Sequence, residues 1–220
     1  MTFKGTTISS LDGVILSIGP IRPVKKIYRN YGTLPGSSVP LFEDTGNYDP
    51  FTIQVTVLIS DLTKESSFNI AMDGTGKLIL GGGTDYYKAR VLSNEPVQEV
   101  NEKTFVRRVI TFECEPFLFL AYGDTQTVLT KGGTVVNPGL ESDPYFKITG
   151  SGTVVLTING VATTMTVDQY VEIEFPFAWK GTANRGKYLD NWPKLAPGKN
   201  VISWTGTVTE VKMAGRWRTL

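Results

Sequence analysis

Carboxylates are the side chains best placed by type and spacing to do chemistry in this sequence, because the chain contains no histidine. Two pairs, Glu113/Glu115 and Glu172/Glu174, have the i, i+2 spacing that puts both members on one face of a strand. A pair of carboxylates is the machinery of glycoside cleavage. The same spacing is typical of a solvated sheet face, which is the interpretation we favour. We therefore predict no catalytic residues and leave carboxylate-based glycan cleavage as the alternative.

The absence of histidine and the single cysteine exclude several other sites. Without histidine there is no Ser-His-Asp or Cys-His machinery and no imidazole metal ligand. One cysteine, Cys114, allows neither an intrachain disulfide nor a multi-cysteine zinc site. Cys114 lies in a strand-like run, so we interpret it as a small core residue. We predict no structural metal and no cofactor, and an oxygen-only calcium site stays open because the 21 acidic residues could supply ligands without a readable motif.

The glycine-rich segments do not match a nucleotide site. Gly74-Thr75-Gly76-Lys77 and Gly81-Gly82-Gly83 fit neither of the phosphate-binding patterns G-x-x-x-x-G-K-[ST] and G-x-G-x-x-G. We interpret these glycines as turn residues.

Aromatic residues in loop-like sequence suggest one weak binding site. Trp179 and Trp192 have polar neighbours, among them Asn191 and Lys180. An indole ring can stack on a sugar while such neighbours hydrogen-bond its hydroxyls. The simpler interpretation is that these rings cover the edge of a sheet or fill a contact between subunits. The candidate saccharide contacts are therefore Trp179, Trp192 and Asn191.

Net charge and hydropathy exclude further classes of partner. Lys and Arg number 22 against 21 Asp and Glu, for a net charge of +1. Duplex DNA and anionic lipid both favour a basic excess, so we expect neither as the main partner. No apolar run approaches the roughly 20 residues of a membrane-spanning helix. The first residues lack the pattern of a signal peptide, so we expect a protein made in the cytoplasm.

The elements that must position these residues are mostly strands. Thr, Val and Ile number 27, 21 and 14, against 8 Ala, and 23 Gly and 12 Pro supply turns. β-Branched residues fit a pleated sheet better than a helix. Apolar residues alternate with polar ones from Phe51 to Ile59, and Asn159-Gly160 predicts a hairpin. One short helix is predicted over residues 62–72, capped by Asp61 and ended by Gly74.

A change in composition predicts two domains. Polar and glycine-rich sequence lies between Tyr122 and Gly133, and all four tryptophans follow it. We place one β-rich domain at residues 1–128 and an all-β sandwich at residues 132–220. Each is long enough to form its own core.

The order of features along nearly the whole chain resembles the distal tail proteins of long-tailed bacteriophages that infect Gram-positive hosts. In the first half the resemblance is carried by Pro35-Gly36, the strand ending at Ile59, the short helix, Gly76-Lys77-Leu78-Ile79-Leu80, Tyr86-Tyr87-Lys88-Ala89-Arg90-Val91 and Phe112-Glu113-Cys114-Glu115-Pro116-Phe117. In the second half it is carried by Asn137-Pro138-Gly139, Asp143-Pro144, Ile148-Thr149-Gly150-Ser151-Gly152, Leu156-Thr157-Ile158-Asn159-Gly160, Trp192-Pro193-Lys194-Leu195 and Pro197-Gly198-Lys199-Asn200. After Pro35-Gly36 this chain has Ser37-Ser38, where the family often has G-R-x-G.

The resemblance implies an N-terminal β domain that closes into a hexameric ring, with a galectin-like or carbohydrate-module-like sandwich on its outside. Such a ring joins the tail tube to the host-adsorption apparatus at the tail tip of the virion. The implied partners are the tail tube protein, the tail-tip or tail-associated protein and the receptor-binding protein, while DNA passes through the lumen without specific binding. The alternative is a stand-alone carbohydrate-binding, or carboxylate-based glycan-cleaving, β-sandwich protein.

Overall fold

The computed structural model describes residues 1–21, 24–33, 36, 38–97, 105–184 and 189–220. This part of the chain is mainly β and contains one α-helix, which confirms the predicted fold class. Its contacts group into two compact units, Met1–Leu118 with Leu220, and Phe119–Thr219. No helix in the described ranges is long and apolar enough to cross a membrane.

The first unit is built around one antiparallel sheet. Its strands and helix are β1 (Thr2–Phe3), β2 (Thr6–Thr7), β3 (Gly13–Ile18), β4 (Lys26–Thr33), β5 (Pro40–Tyr48), β6 (Phe51–Ile59), α1 (Glu65–Ala71), β7 (Thr75–Ile79), β8 (Tyr86–Pro96) and β9 (Val106–Phe119). Seven strands follow the order β2-β1-β7-β8-β9-β6-β3, and β4 and β5 pair with each other as a separate two-stranded sheet. Single 3-10 turns cover Ile8–Leu11 and Leu62–Lys64.

Strand β6 contributes one face to the core of this unit, as its alternating sequence predicts. Every second residue from Phe51 to Ile59 is buried, and the residues between are exposed or half-buried. β6 pairs with β9 in a register that places Ile53 opposite Phe112. The edge of the Phe112 ring meets the Phe3 ring, with 5.1 Å between their centroids. The core therefore joins residues far apart in the chain on one face of the sheet.

The short helix lies where the sequence predicts it. The predicted segment 62–72 begins as the 3-10 turn Leu62–Lys64 and continues as α1. The side chain of Asp61 accepts a hydrogen bond of 2.9 Å from the backbone N–H of Thr63, so the predicted cap is present and lies on the 3-10 turn that leads into α1. Phe68 and Met72 are buried in the core, so the helix is held by packing on the sheet. Gly74, with a φ of 78°, follows the last turn and lets the chain reverse into β7.

The second unit contains a second antiparallel sheet. The strands of this sheet are β10 (Thr127–Val128), β11 (Gly133–Asn137), β12 (Tyr145–Ile158), β13 (Val161–Glu174), β14 (Phe177–Lys180), β15 (Ala183–Asn184) and β16 (Gly198–Ala214). The unit also contains a 3-10 turn at Ala121–Asp124 and the short strand β17 (Arg218–Thr219), which is not part of this sheet. The order is β10-β16-β12-β13-β14-β15, and β11 also pairs with β16. Asn159 and Gly160 both have positive φ and connect β12 to β13, which confirms the predicted hairpin.

The long strands of this sheet bend where their register shifts. The pairing of β12 with β16 is irregular between Thr149 and Gly150 and between Ser151 and Val155. A Cβ at Gly150 would come within 2.2 Å of the carbonyl oxygen of Thr207, so only glycine allows this close approach. Residues on both sides of the shift, such as Ile148 and Leu156, belong to one core. The bulges thus curve two long strands over a shared interior.

The change from the first unit to the second falls between Leu118 and Phe119, earlier than the sequence places the domain boundary. The sequence predicts that the first domain extends to residue 128, because the polar, glycine-rich stretch taken as the boundary follows Tyr122. In the structure Thr127 and Val128 pair with Met213 and Lys212 of β16, so hydrogen bonding ties them to the second sheet. That the two units are separately folding domains stays a prediction.

Candidate assembly surface

The two-stranded sheet of β4 and β5, residues 26–48, forms an arm that lacks a buried face. Nearly all of its described residues are exposed. An isolated two-stranded hairpin is at best marginally stable in water, because it has no core to pack against. Pro35 and Ser37 of the family motif lie outside the described residues.

Large apolar side chains cover both faces of the arm. Tyr28 and Phe42 are 55% and 56% exposed, and the pairing of Asn30 with Phe42 puts them on the same face. Tyr31, Leu41 and Val39 are also exposed. Monomeric proteins rarely display contiguous apolar patches of this kind, and such patches mark contact sites. The arm is therefore a candidate surface for assembly.

Charged pairs on the arm hold its strands in register. Lys26 forms an ion pair with Asp44, and its hydrogen bond is the main cause that lowers the pKa of the Asp44 carboxyl below its ordinary value. Arg29 lies 3.6 Å from Glu43 across the two strands. Both pairs are solvent-exposed, so they select the register more than they stabilise the fold.

The base of the arm is anchored to the first unit. The Tyr48 ring meets the Phe117 ring edge to face, with centroids 5.6 Å apart. The backbone N–H of Asp49 donates a 2.8 Å hydrogen bond to the carbonyl of Lys25, which closes the two ends of the arm together. The arm thus projects from a fixed root.

A second exposed apolar surface lies along β3, at one end of the seven-strand order. Among the described strands β3 pairs with β6 alone, which leaves its other edge unpaired. Val14, Leu16 and Ile18 are exposed, and the strand contains no charged residue and no proline. Native edge strands usually carry charge or proline that blocks pairing with another chain. The pairing of β3 with β6 shifts register between Ile15 and Ser17, and this irregularity is the protection that the strand has. The exposed apolar residues Val14, Leu16 and Ile18, which we call the β3 edge, are a second candidate contact surface.

Sequence reasoning did not single out the arm or the β3 edge. In the sequence, only the motif Pro35-Gly36 stands out in this segment, and the structure shows that β4 and β5 pair with each other and with no other described strand. Periodicity identifies strands and does not identify which strands lack a sheet to pack on.

The candidate saccharide residues lie in the second unit on two different surfaces. Trp179 is opposite Glu172 in the pairing of β13 with β14, on the face of the sheet away from the core residue Ala178. Trp192 packs against the core, and its ring meets that of Phe175 with centroids 5.5 Å apart. The side chain of Asn191 accepts a hydrogen bond from the backbone N–H of Trp192. The structure therefore does not bring the two tryptophans onto one platform.

Three of the four paired carboxylates of the sequence, Glu113, Glu172 and Glu174, form ion pairs with cations. Glu113 pairs with Arg90, and Glu172 accepts a 2.9 Å hydrogen bond from Lys147. Burial raises the pKa of Glu172, but the hydrogen bond and charge of Lys147 outweigh burial and leave this pKa below its ordinary value. A general acid in glycan cleavage needs the opposite, a raised pKa. Within the described ranges no three acidic, cysteine or histidine side chains gather in a way that could hold a metal ion.

Cys114 is a core residue, as predicted. Its side chain is fully buried among the apolar residues of the first unit. Burial, helped by the nearby charge of Glu113, raises the pKa of the Cys114 thiol to about 12. Only the thiolate reacts as a nucleophile, so this thiol is chemically inert in the folded protein.

We expect Cys114 to resist labelling by a disulfide reagent such as DTNB at pH 8. The native protein should release almost no thionitrobenzoate over minutes, while the same protein in guanidinium chloride should release one equivalent at once, because unfolding exposes the thiol and returns its pKa to the ordinary value. Rapid labelling of the native protein would show that the core around Cys114 opens readily.

Comparison with known proteins identifies the fold. No family model matches the chain, and no curated protein matches it. A matching solved structure is the crystal structure of SPP1 Dit (gp 19.1), described as a paradigm of the hub adsorption apparatus in phages that infect Gram-positive bacteria. The TM-score is 0.68 over 99% of this chain and 98% of that chain, at 10% sequence identity. At this identity the likeness establishes a shared fold.

Proposed function

We propose that this chain is a structural hub of a phage tail tip. The observation that carries the proposal is the likeness in fold to a hub protein over 99% of the chain. The role is structural and not enzymatic, and the ion-paired carboxylates of the second unit agree with it. The protein would be assembled in the host cytoplasm and would reside in the virion, at the tail tip.

We infer a ring of six copies, built by the N-terminal unit, with the second unit at the periphery. The exposed arm and the unpaired β3 edge support this arrangement, because a ring needs two different surfaces on each copy that fit one another. In our proposal the arm of one copy packs on the β3 edge of the next, and the contact repeats until the ring closes.

The ring would connect the tail tube protein to the adsorption apparatus, which includes the tail-tip or tail-associated protein and the receptor-binding protein. DNA would pass through its lumen without specific binding, and no membrane is involved. A net charge of +1 per chain agrees with this arrangement, because six strongly charged copies would repel one another at close range.

The mass of the intact protein in solution tests the ring. We expect light scattering to give about six times the 24.2 kDa of one chain, and negative-stain images to show closed rings. A mass of one chain at every concentration would contradict the proposal and would favour a stand-alone carbohydrate-binding protein.

The proposed contact makes a prediction for mixtures of two variants. Leu16→Lys places a charge on the β3 edge and leaves the arm intact, whereas Leu41→Asp/Phe42→Asp damages the arm and leaves the β3 edge intact. Each variant alone should be monomeric. In a mixture, the intact arm of the Leu16 variant can pack on the intact β3 edge of the arm variant. We therefore expect dimers of about twice the chain mass but no rings. Failure of the mixture to form dimers would show that the arm and the β3 edge are not partners.

A further inference from the structure

The turn between β12 and β13 contains the single Asn-Gly pair of the sequence, Asn159-Gly160. An asparagine followed by glycine is the pair most prone to spontaneous deamidation, because glycine has no side chain to hinder attack by its backbone nitrogen on the asparagine amide. Both residues are exposed in the structure, so water reaches them. The conformation of the turn, and not burial, therefore controls this reaction in the folded protein.

Three hydrogen bonds hold Asn159 to the start of β16. Its backbone N–H donates to the carbonyl of Val201 at 3.0 Å, and its side-chain Oδ1 accepts from the backbone N–H of Val201 at 2.9 Å. Its side-chain Nδ2 donates to Oδ1 of Asn200 at 2.8 Å. We call Asn159, Asn200 and Val201 the asparagine clamp. Because both ends of the Asn159 amide are engaged, the side chain can rotate only by breaking two hydrogen bonds.

The partner side chain, Asn200, is itself fixed in one orientation. It is fully buried, and its amide uses all of its hydrogen-bonding capacity. Its Oδ1 also accepts from the backbone N–H of Ala196 at 2.9 Å, and its Nδ2 donates to the carbonyls of Ala196 at 2.8 Å and Gly198 at 3.0 Å. Asn200 can therefore act toward Asn159 only as an acceptor.

The backbone of the turn also opposes deamidation. Asn159 and Gly160 have φ angles of 51° and 85°, the left-handed conformation of a two-residue hairpin turn. Deamidation requires the backbone nitrogen of Gly160 to reach Cγ of Asn159. The Asn159 side chain has to leave the asparagine clamp before that approach is possible, so this end of the sheet must open first.

We propose that Asn159 is a deamidation site that the asparagine clamp protects in the folded protein and that reacts when this end of the second sheet opens. In the open form, the backbone nitrogen of Gly160 attacks Cγ of Asn159, and the new C–N bond closes a succinimide ring. The side-chain nitrogen leaves as ammonia and takes the amide proton of Gly160 with it. Water then opens the succinimide at either carbonyl and leaves aspartate or isoaspartate.

The modification is one-way because its product does not fit the asparagine clamp. The aspartate formed from Asn159 has a carboxylate oxygen in place of the donor Nδ2, and this oxygen faces the acceptor Oδ1 of Asn200. Asn200 has no donor to offer instead, because Ala196 and Gly198 accept both hydrogens of its Nδ2. The modified hairpin therefore closes less tightly than before. The site lies in the second unit and does not rest on the proposed role as a hub.

Incubation of the full-length protein at pH 8, followed by peptide mapping with mass spectrometry, tests the protection. Deamidation of Asn159 should be at least about tenfold slower in the native protein than in the same protein unfolded in guanidinium chloride, because reaction has to wait for the sheet to open. A smaller difference would overturn the proposal.

Asn200→Ala and Asn137→Ala form a matched pair that separates the asparagine clamp from general loosening of the fold. Asn137 is also buried, and its side chain donates to the carbonyl of Leu195 at 3.1 Å, but its hydrogen bonds lie outside the asparagine clamp. Deamidation of Asn159 should rise about tenfold or more in Asn200→Ala and less than about threefold in Asn137→Ala. Equal increases in the two variants would overturn the proposal.

The stability of Asn159→Asp tests the one-way step and needs no variant of Asn200. Its melting temperature should fall by about 5 °C, because the hydrogen bond to Asn200 is lost and two acceptors face each other. Asn191→Asp is the control, since it adds the same charge to an exposed position of the same unit and keeps the bond that Asn191 accepts from the N–H of Trp192. Equal melting temperatures for the two variants would show that the product does fit the asparagine clamp, which would overturn the one-way step.

Discussion

The proposed ring should not form, and only 24.2 kDa subunits should be present, when Leu41 and Phe42 are both replaced by Asp. Neighbouring residues of a strand point to opposite faces, so the double variant places a charge on each face of the arm. Whichever face of the arm meets the neighbouring copy, one carboxylate would be buried without a partner in every contact around the proposed ring, which costs several kcal/mol per contact. Light scattering should give the mass of one chain at concentrations where the unchanged protein gives about six times that mass.

The subunit itself should be unaffected by this double substitution. Leu41 and Phe42 are about half exposed in the isolated chain, so their replacement removes little buried surface and the melting temperature of the monomer should barely change. Ile70→Asp is the matched control. Ile70 is 73% exposed on α1 of the same unit but belongs to neither the arm nor the β3 edge. Intact rings in the arm variant, or loss of rings in the Ile70 variant, would place the contact elsewhere.

Replacing Glu65 with Ala should destabilise the first unit by about 2–3 kcal/mol. Arg108 lies on the core side of β9 and is only 8% exposed, and Glu65 in the first turn of α1 is its ion-pair partner. The Arg108 guanidinium also donates a 3.1 Å hydrogen bond to the carbonyl of Asn94. Removing Glu65 leaves a buried charge without a counter-ion. Because Glu65 is one-third exposed, the cost is below the range for a fully buried pair.

Glu113→Ala provides the comparison for the Glu65 variant. Glu113 also pairs with an arginine of the same unit, but its partner Arg90 is 59% exposed and stays hydrated when the carboxylate is lost. We expect a cost of about 0–1 kcal/mol in urea unfolding. Adding Arg108→Met to Glu65→Ala should restore part of the stability, because the double variant has no unpaired buried charge. Equal costs for the two glutamate variants would mean that burial does not set the strength of these pairs.

Much of the local structure follows from the sequence alone. Alternation from Phe51 to Ile59, the Asp61 cap and the Asn159-Gly160 turn each act over a few residues, and each is found where it was expected. The absence of histidine and the single Cys114 limit the chemistry regardless of fold. These features depend on backbone preference and composition, which a linear sequence displays directly.

What the tertiary structure decided is which surfaces remain exposed. The sequence could not show that β4 and β5 pair only with each other among the described strands, or that β3 pairs there with β6 alone, because both depend on which distant strands hydrogen-bond. Trp179 and Trp192 read alike in the sequence, yet Trp179 lies outside the core and Trp192 packs against it. The sequence does not distinguish Arg108 from the other residues among the 22 Lys and Arg. In the structure, the pairing of β9 with β6 places Arg108 beneath α1. Burial is set by contacts between residues remote in the chain, and local pattern carries little information about them.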